Sequence, residues 1–125
     1  MILDTNALSA FIDGEPRVGA RLAPEDRVAI PVIVLGEFRY GISRSKHRAA
    51  YEDWLDQHLR SFEILAVNEA TTVAYARVRN GLRKIGRPIP ANDAWIAALA
   101  LQHRMPLLSR DEHFDAVGGV RRESW

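Results

Sequence analysis

Four carboxylates in this chain of 125 residues have the type and placement to do chemistry together: Asp4, Glu37, Asp93 and Asp111. Asp4 follows the apolar pair Ile2-Leu3, and Glu37 interrupts an apolar helical face of Val34, Leu35 and Phe38. Asp93 opens the run "AWIAALAL", and Asp111 stands just past "LLS". Taken singly, each has a structural use. Asp4 suits a helix cap or an Asx-turn. Asp93 complements a helix dipole, with Asn92 as the cap. Asp111 suits the cap of a short turn through Phe114, and Glu37 a solvated helix position, although its apolar neighbours fit that use poorly. Gathered at one place, they would raise one another's pKa unless a cation neutralised them. Hard divalent cations take oxygen ligands, and magnesium combines a few carboxylates with waters and substrate phosphates. One or two such ions would activate a water against a phosphodiester.

Such a site needs a scaffold that brings four distant segments to one edge. Ile2-Leu3 reads as the end of a short strand, followed by a helix from about Ala7 to Ile12. "DRVAIP" is a second strand, and "VIVLGEFRYGI" a helix opened by Pro31. "HRAAYEDWLDQHLRSF" places Tyr51, Trp54, Leu55, Leu59 and Phe62 on one helical face. "FEILAV" is a third strand. Ala70 to Ile85 is a helix with Val78, Leu82 and Ile85 inward and Arg77, Arg79, Arg83 and Lys84 outward. After Gly86, Pro88 and Pro90 comes "NDAWIAALALQHR", apolar almost all round and therefore buried or at an interface. "MPLLS" is a fourth strand, and "GGVRRESW" holds a possible fifth. Alternating strands and helices with continuous apolar runs predict an α/β fold: a three-layer α/β/α sandwich around a central parallel sheet of four to five short strands. Ligands of such sheets bind beyond the carboxyl ends of the strands, at a topological switch point. Asp4 and Asp111 fall at that edge.

The bulk properties agree. Apolar residues make up 47% and charged residues 26% of the chain, which is globular composition. No repeat or linker divides it, so residues 1–125 are expected to form one domain. There is no cysteine, which excludes disulfides, thiolate metal sites and cysteine nucleophiles. No apolar run approaches the roughly 20 residues of a membrane span, and no secretory signal pattern opens the chain, so a cytoplasmic location is expected. The net charge is only +1. With four acids set aside in one site, however, 17 cations face 12 acids over the remainder. Arg77, Arg79, Arg83, Lys84 and Arg87 cluster ahead of Asp93. They read as a solvated helix face or, more sharply, as a phosphate-steering rim. His47, His58, His103 and His113 lack metal-ligand spacing, and His113 is assigned to the surface or to the surroundings of the acids. Serine-hydrolase, dinucleotide and P-loop motifs are absent.

The stretches "ILDTNAL", "LGEF", "PANDAWIAALAL" and "LLSRDEHFDAV" together resemble the PIN-domain ribonucleases, and more closely the VapC toxins of VapBC toxin–antitoxin modules. The similarity spans essentially the whole chain. It implies a PIN fold, magnesium- or manganese-dependent cleavage of RNA, and inhibition by a cognate antitoxin. The family's acidic positions match Asp4, Glu37, Asp93 and Asp111, with Asp115 as the alternative to Asp111. Asn6 matches a small polar residue that supports the first aspartate, and Ser109 stands where many members have threonine. On this resemblance Asp4, Asp93 and Asp111 hold the metal, and Glu37 orients the attacking water or binds a second ion. A homodimer or a toxin–antitoxin hetero-oligomer is expected, with Trp95 as a candidate dimer residue and the "VIVLGEF" helix with Phe11 as a candidate antitoxin groove. Core burial accounts equally well for Trp54, Trp95 and Phe11. A haloacid-dehalogenase-like phosphatase would need an acid where Asn6 stands. A receiver domain would need an aspartate ending the third strand, where only Asn68 and Glu69 occur. The remaining alternative is a non-catalytic RNA- or protein-binding module on the same fold, which gathered negative charge disfavours.

Overall fold

A computed structural model describes the whole chain, Met1–Trp125. Its centre is a five-stranded, all-parallel sheet: β1 (Ile2–Leu3), β2 (Ala29–Pro31), β3 (Glu63–Leu65), β4 (Leu107–Leu108) and β5 (Arg122–Glu123), in the order β3-β2-β1-β4-β5. The helices are α1 (Thr5–Ile12), α2 (Pro16–Leu22), α3 (Val32–Ile42), α4 (Arg48–His58), α5 (Glu69–Lys84) and α6 (Ala91–His103), with 3₁₀ turns at Leu59–Ser61 and Glu112–Ala116. The α/β sandwich with four to five strands is the architecture observed.

β1 is the middle strand because both its residues are wholly buried apolar side chains; Ile2 faces Ala29 on one side and Leu107 on the other. From β1 the chain travels outward through β2 to β3, then crosses back to β4 on the opposite side of β1. The direction of travel reverses there, so right-handed crossovers put the connections before and after it on opposite faces of the sheet. The switch point therefore lies between β1 and β4. Residues just past those strands are Asp4 and Ser109.

α5 opens with a capping box in which Asn68 and Thr71 satisfy each other's backbone amides. Thr71 Oγ1 also donates to Gln102 Oε1 at 2.6 Å, tying the start of α5 to the end of α6. The two helices thus run antiparallel, and the short connector 85–90 returns the end of α5 to the start of α6. α6 buries Ala94 and Ile96 through Ala100, as its continuous apolar run predicts, and closes on Arg104 in the left-handed region at φ 53°.

Three expectations are corrected, and one helix lies where none was expected. α1 begins at Thr5, because Asp4 caps it. Asn92 does not cap α6: Pro90 occupies that position, and no side chain bonds the free amides there. Ile85 is 55% exposed rather than inward, since α5 ends at Lys84 before the face can turn in. α2 was unforeseen in a stretch rich in Gly and Pro; Glu15 caps it, Pro16 starts it, and Val18 and Leu22 bury one face.

Candidate active site

The loop from β1 into α1 and the loop after β4 meet across the switch point. Asp4 is 2% exposed, and its carboxylate is held at 2.8 Å by the Thr5 amide, at 2.7 Å by the Ser109 hydroxyl and at 3.1 Å by the Asn6 amide group. A buried carboxylate needs such donors. The same Asn6 nitrogen donates to Asp111 Oδ2 at 3.2 Å, so its two hydrogens bridge two acids. Asn6 is itself oriented by the Arg110 amide, which donates to Oδ1 at 3.2 Å. Ser109 Oγ accepts from the Asp111 amide at 3.0 Å while donating to Asp4, which fixes the turn that carries Asp111. On the far side, Arg122 Nη1 donates to the Ser109 carbonyl at 3.0 Å.

Glu37 and Asp93 approach from two other elements. Glu37 projects from α3 one turn and a half from its start, and Thr5 Oγ1 donates to its Oε1 at 2.9 Å. Asp93 lies in the first turn of α6. Its Oδ2 sits 2.8 Å from His113 Nε2, a close electrostatic approach without the alignment of a hydrogen bond. Asp4, Thr5, Asn6, Glu37, Asp93 and Asp111 line one cleft of about 470 Å³, floored by Pro90–Asn92. The four acids named from the sequence are brought together.

Electrostatics report the same proximity. Burial first, and then the charges of Asp93 and Asp111, push the Asp4 carboxyl up to about 6 against the opposing bonds from Ser109 and Thr5. Asp93 is also raised, first by burial; His113 opposes this, and Asp111 and Glu37 add to it. The charge of Asp111 thus acts on both Asp4 and Asp93. The donor set fits a hard divalent cation. Carboxylate oxygens of Asp93 and Asp111 and a ring nitrogen of His113 lie within 4.8 Å of one another. Carboxylates with raised pKa values are those a cation would return to the ionised state.

Asp115 lies elsewhere. It is bound by Arg122 through two 2.8 Å bonds and is exposed, so its carboxylate is turned from the cleft. The 3₁₀ turn rotates it away from Asp111, which an α-helical reading of "DEHFDA" would not do. His113, assigned from the sequence to the surface or to the surroundings of the acids, reaches Asp93. One contributor was missed. Thr5 reaches Glu37, and its only signal was adjacency to Asp4. Phe11 is taken up by edge-on contacts with Trp54 and Phe62 at 6.0 Å, and Trp95 stacks on Tyr75 at 3.8 Å.

Known proteins carry the same plan. The PIN domain family model matches residues 1–120. The chain is 35% identical to Ribonuclease VapC5 of Mycobacterium tuberculosis over 125 residues, covering 95% of this chain and 88% of that protein. It is 31% identical to Ribonuclease VapC2 of Rickettsia felis over 129 residues, covering 99% and 96%. Among solved structures, VapBC2 from Rickettsia felis bound to a DNA fragment from its promoter superimposes with a TM-score of 0.86 at 29% identity, over 99% of this chain and 97% of that one. The chain belongs to the PIN-domain family. Within it, VapC ribonucleases are the relatives it resembles across nearly its full length.

Proposed function

We propose that residues 1–125 act as one nuclease domain, an endoribonuclease that is the toxin of a type II toxin–antitoxin module. The observation that carries this reading is the convergence of Asp4, Glu37, Asp93 and Asp111 from four separate elements onto one cleft. Membership of the PIN family and similarity to VapC ribonucleases support the RNA substrate, and similarity to VapBC complexes supports a cognate antitoxin as partner. No helix is long and apolar enough to cross a membrane.

Asp4, Asp93 and Asp111 would hold a magnesium or manganese ion, which supplies positive charge that lowers the pKa of water and offsets charge developing on the phosphate. Asn6 holds Asp4 and Asp111 at a fixed separation, and Ser109 orients Asp4. Glu37 keeps Oε2 free of hydrogen bonds within the chain while Thr5 anchors Oε1. That free oxygen positions the attacking water and takes up its proton. Water attacks phosphorus as its proton passes to Glu37, the P–O bond to the leaving nucleotide breaks, and the departing oxygen takes up a proton from solvent while Glu37 returns its own to solvent.

The test is cleavage of single-stranded RNA by wild type and Asp93→Asn, each with manganese, magnesium or EDTA. Cleavage confined to wild type with metal is the expected result. Equal cleavage by both proteins would place the activity outside this cleft. Binding of RNA without cleavage under every condition would favour a non-catalytic module.

A further inference from the structure

Beside the acid cleft lies a second one of opposite charge. Between Glu69 and Asp93 the chain carries five cations, Arg77, Arg79, Arg83, Lys84 and Arg87, and no acid. None of the five has a carboxylate partner; the ion pairs of the protein lie elsewhere. Lys and Arg in a last helical turn favour the dipole, which accounts for Arg83 and Lys84. It does not account for Arg79, which stands four residues before Arg83 as a like-charge pair that a helix disfavours.

Arg79, Asn80, Arg83, Gly86, Pro88 and Ile89 line a groove of about 500 Å³. The next residues along the connector, Pro90, Ala91 and Asn92, line the acid cleft. One strip of chain therefore separates the two and belongs to both. The antiparallel pairing of α5 with α6 brings the basic half of α5 to the end of α6 that carries Asp93. Arg79 is also held in place: its Nη1 donates to the Tyr75 hydroxyl at 2.9 Å, its guanidinium lies over the Tyr75 ring, and Tyr75 stacks on Trp95, two residues from Asp93. A guanidinium has five donors, so this one hydrogen bond leaves most of them unspent.

We propose that this groove is a phosphate subsite for the RNA strand running out of the acid cleft. Arg79 and Arg83 bind backbone phosphates flanking the scissile one, Asn80 adds an amide donor, and Tyr75, propped by Trp95, positions Arg79. The inference rests on the ribonuclease reading. It adds where the strand leaves the site and which side chains hold it there.

The experiment measures kcat and KM for a labelled single-stranded oligoribonucleotide in manganese across a salt series. The Arg79→Gln/Arg83→Gln variant is expected to raise KM roughly tenfold, the loss of charge-assisted hydrogen bonds, with kcat unchanged. Two lost phosphate contacts should also lower the slope of log KM against log salt by about 1.4. Tyr75→Phe, which keeps the stack and the charge, should raise KM less, by about threefold, and leave the salt slope intact. Arg79→Lys should retain the slope. Arg60→Gln/Arg104→Gln removes the same charge from residues that precede β3 and β4, at the opposite sheet edge, and should leave KM unchanged. Unaltered KM and slope in Arg79→Gln/Arg83→Gln, with cleavage persisting, would overturn the subsite alone. An equal effect from Arg60→Gln/Arg104→Gln would also overturn it, in favour of net charge. A wild type that cleaves no RNA would overturn the subsite together with the ribonuclease reading.

Discussion

The two walls of the acid cleft are built differently. The wall from the β1 and β4 loops is cross-linked: Asp4, Asn6, Ser109 and Asp111 share hydrogen bonds of 2.7 to 3.2 Å, and Asp4 and Ser109 are buried. The wall from α3 and α6 is sparse. Glu37 has one hydrogen bond, from Thr5, and Asp93 has one close polar contact, with His113. Side chains of the first wall tie the fold together at the switch point as well as lining the cleft. Those of the second wall are fixed by their helices and are free to act. Substitutions in the two walls should therefore separate stability from activity.

The largest effect is expected on the sparse wall. Asp93→Asn should lower RNA cleavage by about a thousandfold or more, the scale of removing a group that stabilises the transition state's charge. Its melting temperature should stay near that of wild type. A large loss of stability would break the contrast between the walls. Ser109→Ala tests the cross-linked wall. It strips the shortest bond from a buried carboxylate and should destabilise the fold by about 1–3 kcal/mol, measured by denaturant unfolding, along with a loss of activity.

The raised Asp4 carboxyl sharpens the comparison through pH. In EDTA the folded state holds its proton up to about 6, whereas the unfolded chain releases it near 3.8. The unfolded state thus loses its proton first as pH rises. The stability from protonated Asp4 is present below that window and is lost as pH rises through about 6, by up to roughly 3 kcal/mol. Unfolding in EDTA at several pH values should show this decline in wild type and a flatter profile in Asp4→Asn. Exposed Asp115, lowered by Arg122, acts in the opposite sense and is shared by both proteins. The smallest effect belongs to Asp115→Asn. Its bonds to Arg122 are at the surface, so it should cost less than about 1 kcal/mol and leave cleavage unchanged. A loss of cleavage there would restore Asp115 as the fourth acid.

The sheet and most helices were legible because burial and periodicity are local signals. Ile2-Leu3 and Leu107-Leu108 carry no polar residue, so they read as strands buried on both faces, and α6 is apolar all round. The convergence of the acids was legible from topology: residues that follow parallel strands must share an edge. Side-chain reach was not legible. Whether Asp111 or Asp115 faces the cleft depends on a 3₁₀ turn rather than an α-helical one, and both fit the same spacing. The approach of His113 to Asp93 depends on how that turn packs against α6, which no sequence window contains. α2 was hidden because Gly14, Pro16, Gly19 and Pro24 suggest a loop, although Glu15-Pro16 is a sound helix start.

The most direct measurement is manganese binding to purified wild type, Asp93→Asn and Asp115→Asn by electron paramagnetic resonance. If the cleft acids act as one cation site, Asp93→Asn should weaken binding by about a hundredfold while Asp115→Asn binds like wild type. Equal binding by all three proteins would contradict the account, because it would mean that the convergence of Asp4, Asp93 and Asp111 does not hold the ion.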